Sequence, residues 1–330
     1  MNKTRILSID GGGIKGIISA MVLVELESLL QYYSGNKQAR LSDYFEIIGG
    51  TSTGAILAAI YLCPDENHRP KYSAKDALEL YLNHGKEIFK RRRLYPLNTI
   101  FGLFGPKYNN TKLEVMLKKY LGDVTLTDLV KPCVFTAYNT EKRRSVFFNS
   151  LSCKSPNKKD HSVISTVLAS TAAPTYFRPI QIGEHLYGDD CYIDGGVFAG
   201  NPTMCALIEG LKLPNCGGFE QTYILSVGNV SNLEPYSYTR AKGWGKIGWA
   251  LPLLDILMDA SAQTVDYQIC KIFHTLGLDQ NYLRIQLNID ESTPAMDNVS
   301  EESFSTLMGY GEQLIHQSYR KMVEFARSIV

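Results

Sequence analysis

Residues 45–62 have the sequence FEIIGGTSTGAILAAIYL. The apolar run at 45–49 is typical of a buried strand, and the small residues from Thr53 to about Leu62 are typical of a helix. Between them lies the turn Gly50-x-Ser52-x-Gly54. A serine in such a turn is held in a strained conformation with its hydroxyl exposed, and flanking glycines let other backbone pass close by. The bare pattern also arises by chance in glycine-rich turns, but the strand and helix around it favour a nucleophilic serine.

A similar strand–turn–helix unit precedes this one. Residues 5–9 predict a buried strand and residues 16–33 a well-buried helix. Two such units in succession predict a parallel sheet with crossover helices. Further along the chain we expect a hairpin at 132–149, strands before Asp194, at 221–227 and at 282–287, and helices at 73–90, 111–121, 161–170, 202–212, 246–273 and 301–328.

The turn of the first unit is Asp10-Gly11-Gly12-Gly13-Ile14-Lys15-Gly16. Its glycine spacing matches the dinucleotide fingerprint, which also needs an acid about 20 residues on, at the end of a second strand. Here that region is still helix, and the next strand ends in the serine turn. The alternative is an oxyanion hole, in which glycine N–H groups converge on an ester oxygen. The sequence favours the oxyanion hole, and a plain tight turn stays open.

An activated serine needs a proton acceptor. None of the six histidines lies in a setting that suggests one. Asp194-Gly195-Gly196 follows a short strand and precedes a turn into a helix, so Asp194 could accept the serine proton directly. A free carboxyl with a pKa of ~3.9 is a weak base, and burial would have to raise its pKa. On the residues alone, a turn aspartate followed by glycines is the commoner interpretation.

Composition excludes several classes of protein. The chain has 330 residues, 34 of them basic and 33 acidic, and a net charge of +1 gives no support to a nucleic-acid partner. The seven cysteines are scattered and never spaced as C-x-x-C, which favours free thiols in a reducing compartment over disulfides or zinc. No signal peptide or transmembrane run is apparent. We therefore expect a soluble cytoplasmic protein without a metal or cofactor.

Three segments together resemble the patatin-like phospholipases, in the same order and at similar separations. They are residues 10–16, 50–54 and 194–196, and the stretches 169–177 and 200–202 also look like that family. The resemblance spans about residues 5–230. It implies a Ser–Asp dyad with Ser52 as nucleophile, Asp194 as base and the backbone of an oxyanion hole. The implied oxyanion residues are Gly11, Gly12 and Gly13, and the remaining motif glycines are Gly16, Gly50, Gly54, Gly195 and Gly196.

The resemblance also implies the fold and the chemistry. The expected fold is a three-layer α/β/α sandwich with a mainly parallel central sheet, formed by one domain over residues 1–330 with the helices of 246–328 packed on it. The expected reaction is hydrolysis of phospholipids or lysophospholipids through an acyl-enzyme, without a cofactor. Some bacterial members are anti-phage effectors switched on by a cyclic dinucleotide. The compact size and extra C-terminal helices fit such a protein, and they fit a housekeeping lipase equally well.

Two segments suggest surface contacts. Residues 86–93, KEIFKRRR, lead into an apolar loop, which suits a lid or a membrane contact over 86–108 or, alternatively, a connector packed on the core. Residues 244–258 are strongly apolar, and core packing is favoured there over an oligomer interface or a cover for the acyl pocket. A transient membrane contact and a homo-oligomer are thus both open.

Two other functions compete with the hydrolase. A nucleotide-binding oxidoreductase would explain the glycine run alone. A non-catalytic lipid-binding protein on the same fold would need neither the serine nor the aspartate.

Overall fold

The computed structural model describes residues 3–90, 105–155, 159–183, 190–232, 235–289 and 293–330. The strands of this part of the chain are β1 Thr4–Ile9, β2 Ile47–Gly50, β3 Cys133–Asn139, β4 Arg144–Asn149, β5 Ile180–Ile182, β6 Asp190–Asp194, β7 Thr222–Asn232 and β8 Tyr282–Ile289. Its helices are α1 Gly16–Ser34, α2 Leu41–Tyr44, α3 Thr53–Leu62, α4 Ala74–Ile88, α5 Asn110–Leu121, α6 Ser150–Cys153, α7 Val163–Thr171, α8 Gly196–Ala199, α9 Thr203–Leu211, α10 Tyr238–Ala241, α11 Lys246–Thr275 and α12 Glu301–Ile329.

These strands form one sheet in the order β5-β6-β3-β2-β1-β7-β8, with β4 also paired to β3. The strands β3, β2, β1, β7 and β8 run parallel, while β4, β5 and β6 join antiparallel. The two strand–turn–helix units of the N-terminus supply the central pair β1 and β2. Their turns therefore lie side by side at the carboxyl edge of the sheet, where ligands bind in open α/β sheets.

Two strands share one edge of β3. Because β4 pairs with residues 134–139, it occupies the other edge along nearly the whole strand. On the shared edge, β2 ends with Gly50 opposite Phe135, and β6, running the other way, ends with Asp194 opposite Ala137. The carboxyl ends of β2 and β6 thus face each other across a single residue of β3, Thr136.

Alternating side chains along the strands create two cores. Leu7, Ile48 and Leu225 point into the larger core, beneath α1, α3, α4 and α12. Their sequence neighbours Ile6, Ile47 and Ile224 point to the other face, where residues of α9 and α11 cover them. This alternation is the period of a strand buried on both faces. The predicted three-layer α/β/α sandwich with a mainly parallel central sheet is confirmed.

The predicted helices and strands are also confirmed, with one difference in exposure. The sequence did not predict the strand β5 or the short helices α2, α6, α8 and α10, which have only three or four residues each. The apolar segment 244–258, predicted to be core, lies partly on the surface, because the first turns of α11 extend beyond the sheet; Ile247 and Leu253 are both exposed. Of the predicted lid at 86–108, residues 91–104 lie outside the described residues. On either side of them, Phe89 and Tyr108 pack together with ring centroids 5.5 Å apart.

Candidate active site

The turn after β2 holds Ser52 in a conformation that side chains rarely adopt. Its φ is 54° and its ψ is −121°, and α3 begins at the next residue. A Cβ atom on Gly50 would clash with backbone of α3, and one on Gly54 would clash with the carbonyl of Ile9 on β1. The two flanking glycines are therefore required for this turn to lie against β1. The N–H of Ser52 donates to Ser170 Oγ at 2.9 Å, and this contact with α7 holds the turn in place.

Asp194 lies within hydrogen-bond distance of the serine hydroxyl. Ser52 Oγ donates to Asp194 Oδ2 at 2.6 Å, and the N–H of Gly196 donates to Oδ1 at 2.7 Å. The carboxyl group is 2% exposed, and this burial raises its pKa to about 7, against the lowering effect of the two hydrogen bonds. A carboxylate with that pKa is a competent base near neutrality.

The opposed ends of β2 and β6 bring these two side chains together. Thr136, the residue of β3 between them, shares a hydrogen bond of 2.7 Å with Thr51 through their hydroxyls. A Cβ on Gly195 would collide with Thr136, so only glycine lets the chain leave β6 so close to β3. A Cβ on Gly196 would lie 3.1 Å from the carboxylate oxygen of Asp194. Gly195 and Gly196, which follow Asp194 in its motif, thus leave the room that the carboxylate needs in this position.

The glycine run forms a loop beside Ser52, and its N–H groups are used unequally. The N–H of Gly11 donates to the carbonyl of Gly200 at 2.9 Å. Within the described part of the chain, the N–H groups of Gly12 and Gly13 donate to no acceptor. Gly13 lines the same pocket as Ser52. Of the three predicted oxyanion residues, Gly12 and Gly13 therefore keep a free donor, while Gly11 is already engaged.

Left-handed backbone and close packing explain why this loop consists of glycine. The φ of Gly12 is 154° and that of Gly13 is 60°, values that other residues rarely adopt. A Cβ on Gly13 would clash with the carbonyl of Met296. At the end of the run, a Cβ on Gly16 would clash with the side chain of Thr53, so Gly16 allows α1 and α3 to begin side by side.

A buried ion pair holds the start of the glycine loop at Asp10. Arg284 on β8 donates from Nη1 to Asp10 Oδ1 at 2.9 Å and from Nη2 to Oδ2 at 2.5 Å. The same guanidinium donates to Ser226 Oγ on β7 at 2.7 Å. Sequence reasoning missed Arg284. The sequence does place an arginine and a glutamine, Arg284 and Gln286, on one face of the otherwise apolar strand 282–287. A charged side chain in such a strand indicates a buried partner of opposite charge.

Two pockets lie next to each other near the serine. The first is apolar, reaches between α3, α4 and α7, and is lined by Ser52 and Asp194. Its apolar lining includes Ile56, Leu80, Ile88, Phe89, Leu113 and Phe177. The second is a cavity of about 570 Å³ on the other side of the glycine loop. Tyr176, Met258 and Met296 line both pockets, so the two are adjacent.

The second cavity, called the polar cavity below, carries charges of both signs. Lys15 Nζ donates to Thr293 Oγ1 at 3.1 Å. Burial lowers the pKa of Lys15, and the nearby carboxylates of Asp259 and Asp255 act in the opposite direction.

The described histidines lie away from both pockets. None of the five histidines in the described ranges lines the apolar pocket or the polar cavity, and His185 lies outside those ranges. The described residues also contain no group of three side chains that could hold a metal ion. The strand that follows the glycine run, β2, ends in the serine turn and not in an acid, so the dinucleotide fingerprint is incomplete.

A parallel sheet that presents a strained serine at the carboxyl end of a central strand defines the class of α/β acyl hydrolases. Comparison with known proteins places the chain more narrowly. The sequence model of the patatin-like phospholipase family matches residues 7–207, which include all three motifs. Patatin-2-Kuras 3 and Patatin-04/09 of Solanum tuberosum are each 33% identical over 334 aligned residues, covering 96% of this chain and 84% of theirs. The chain belongs to the patatin-like phospholipase family, and it is a lipid acyl hydrolase.

Two solved structures show weak similarity. VipD from Legionella pneumophila is 13% identical, with a TM-score of 0.42, over 100% of this chain and 67% of its own. The type III effector protein ExoU is 12% identical, with a TM-score of 0.41, over 97% of this chain and 53% of its own.

Proposed function

We propose that the protein hydrolyses phospholipids or lysophospholipids through a Ser52–Asp194 dyad. The observation that carries the proposal is the 2.6 Å hydrogen bond from Ser52 Oγ to a buried carboxylate whose pKa is raised to about 7. A base of that pKa holds the serine proton more readily than an exposed carboxylate does. The strained turn places Ser52 in the lining of the apolar pocket, where a substrate ester would lie.

In the first step, Ser52 Oγ attacks the ester carbonyl carbon while its proton passes to Asp194. The carbonyl oxygen becomes an oxyanion, for which the N–H groups of Gly12 and Gly13 are the donors. The intermediate then expels the alcohol, which takes the proton from Asp194, and an acyl-enzyme remains. A water molecule, deprotonated by Asp194, releases the fatty acid and restores Ser52 Oγ–H. Donors placed ahead of the reaction stabilise the oxyanion without reorganisation.

The two pockets support a lipid substrate with a polar head. An acyl chain suits the apolar pocket because Ile56, Phe89 and Phe177 offer no competing hydrogen bonds. The polar cavity suits a polar head group, because Lys15 and the carboxylates of Asp255 and Asp259 line it. A phosphate bound there would pair with Lys15 in competition with those two carboxylates.

The test is covalent labelling combined with product analysis. A fluorophosphonate probe should label the wild type and the control Ser28→Ala, whose serine is exposed on α1, but not Ser52→Ala. On a mixed phospholipid substrate, Ser52→Ala and Asp194→Asn should release no more fatty acid than background. Labelling of Ser52→Ala would show a different nucleophile, and full hydrolysis by Asp194→Asn would remove the carboxylate from the mechanism. Absence of labelling in the wild type would favour a lipid-binding protein.

Activation by a cyclic dinucleotide and an anti-phage role stay predictions of the family resemblance, and a homo-oligomer stays a prediction from the apolar segment 244–258. Turnover with and without a panel of cyclic dinucleotides tests the first of these. Unchanged turnover would contradict it.

A further inference from the structure

The start of α11 and the preceding α10 carry an unusual density of exposed apolar and aromatic side chains. Trp249, Leu253 and Leu257 recur every four residues and so share one face of α11, and they are 38%, 47% and 44% exposed. Ile247, in the first turn, is 78% exposed. We call the following set the α10–α11 surface: Tyr236, Tyr238, Ile247, Trp249, Leu253 and Leu257. Contiguous exposed apolar patches of this kind mark sites of protein or membrane contact.

Basic side chains border this surface. Arg240, Lys242 and Lys246 are all exposed, and none of them forms an ion pair with a described residue. The guanidinium of Arg240 lies over the ring of Trp244, with a distance of 5.9 Å to the ring centroid. Lys242 Nζ lies 5.9 Å from the ring centroid of Tyr238. Aromatic rings beside cations are typical of side chains at the boundary between lipid headgroups and acyl chains.

The α10–α11 surface lies beside the polar cavity. An open groove on it is lined by Tyr236, Arg240, Trp244, Ile247, Gly248, Pro252 and Asp255. Tyr236 and Asp255 also line the polar cavity, and Met258 lines both that cavity and the pocket of Ser52. A lipid held against this surface would therefore lie next to the pockets of the active site.

We propose that the α10–α11 surface docks the enzyme on a lipid bilayer that carries anionic headgroups. The proposal rests on the lipid acyl hydrolase activity of the family. It does not depend on the Ser52–Asp194 dyad. Three observations select a bilayer over a second protein chain. Three cations without an ion-pair partner in the described chain match an anionic headgroup layer, the aromatic rings match the interfacial region, and the groove shares Tyr236 and Asp255 with the polar cavity beside the glycine loop. No described helix is long and apolar enough to cross a membrane.

The two tryptophans of the chain, Trp244 and Trp249, both lie at this surface, so the intrinsic fluorescence of the protein reports on it directly. We would titrate the protein with vesicles of ether-linked lipids, which it cannot hydrolyse. With ether-linked phosphatidylglycerol in ether-linked phosphatidylcholine, tryptophan emission should shift to shorter wavelength and the protein should float with the vesicles. No shift and no flotation would overturn the proposal.

Matched variants locate the contact. Leu253→Ser should weaken vesicle binding about tenfold, the loss expected for one partly inserted leucine. Ile208→Ser, on α9 and 46% exposed, should leave binding unchanged. Lys242→Glu should weaken binding roughly fivefold or more on anionic vesicles and little on neutral ones, because each cation near the surface contributes to the attraction. Equal losses for Leu253→Ser and Ile208→Ser would overturn the assignment of this surface.

Two further measurements separate this proposal from its alternatives. For Leu253→Ser, kcat/KM on a soluble monomeric ester should equal that of the wild type, while turnover of vesicle lipid falls with binding. If instead the wild type is a dimer in sedimentation velocity and Leu253→Ser is a monomer that binds vesicles normally, the surface is an interface between copies. Because Ser52→Ala should bind vesicles like the wild type, a failure of the dyad and a failure of docking give different results.

Discussion

The substitution Asp194→Asn should increase the stability of the protein while it removes its activity. Asparagine keeps the shape of the side chain but cannot ionise. In the folded protein, burial raises the pKa of Asp194 from 3.8 to about 7. In the unfolded chain the group is exposed and its pKa is ~3.9. Between these values the folded protein binds one proton more than the unfolded chain.

The sign and size of the effect follow from this difference in bound protons. Stability falls with pH wherever the folded state binds more protons, by about 1.36 kcal/mol per pH unit for one proton. The contribution of Asp194 is therefore fully present below about pH 4 and is lost as the pH rises to about 7. The loss amounts to about 4 kcal/mol, since the pKa rises by roughly three units. Asp194→Asn does not lose this stability as the pH rises, because asparagine does not ionise.

The assay is urea unfolding of both proteins across the pH range, followed by circular dichroism. The free energies of unfolding should agree near pH 4, diverge as the pH rises, and differ by up to about 4 kcal/mol above pH 7, with the variant more stable. At the same time kcat should fall by about 10²–10⁴-fold, the usual contribution of a positioned base. Parallel pH curves for the two proteins would refute the reasoning, because they would show that the buried carboxyl group has an ordinary pKa in the folded state.

Three further predictions follow from the site. The logarithm of kcat/KM on a soluble ester should rise with slope one up to about pH 7 and then level off, since only ionised Asp194 accepts a proton; a flat profile down to pH 5 would contradict this. Arg284→Met should lower the free energy of unfolding by about 3–5 kcal/mol in urea titrations, because it leaves Asp10 buried without its cation, and a second change, Asp10→Asn, should restore most of it. Gly13→Ala should lower kcat at least about tenfold, because its Cβ would displace the oxyanion loop. The control Gly122→Ala, at the same φ of 60° but in open space, should cost about 1–3 kcal/mol of stability and leave kcat unchanged.

Local patterns in the chain were enough to place most of the elements. The period of apolar residues located the helices and strands to within a few positions, because each element buries its own side chains at a characteristic spacing. The strand–turn–helix around Ser52 was recognisable for the same reason. Its glycines are needed by backbone only a few residues away or on the adjacent strand β1.

The sequence alone left the base undecided between a turn aspartate and a catalytic one. Asp194 and Ser52 are separated by 142 positions, and only the opposed ends of β2 and β6 bring them within 2.6 Å. The raised pKa of Asp194 is likewise a property of burial, which depends on the packing of distant segments. No local pattern could have supplied either.

Local sequence patterns also could not show which N–H groups of the glycine loop stay free or which face of α11 is exposed. Gly11 loses its free N–H to Gly200, and Arg284, far along the chain, neutralises Asp10. The apolar start of α11 has the composition of a core helix, yet its position beyond the sheet leaves Trp249 and Leu253 in contact with solvent. The sequence by itself determined the elements, the reactive turn and the glycines, because these depend on neighbouring residues. Tertiary structure decided which carboxylate meets the serine, which N–H groups stay free and which apolar face is exposed, because each depends on chain segments that only folding brings together.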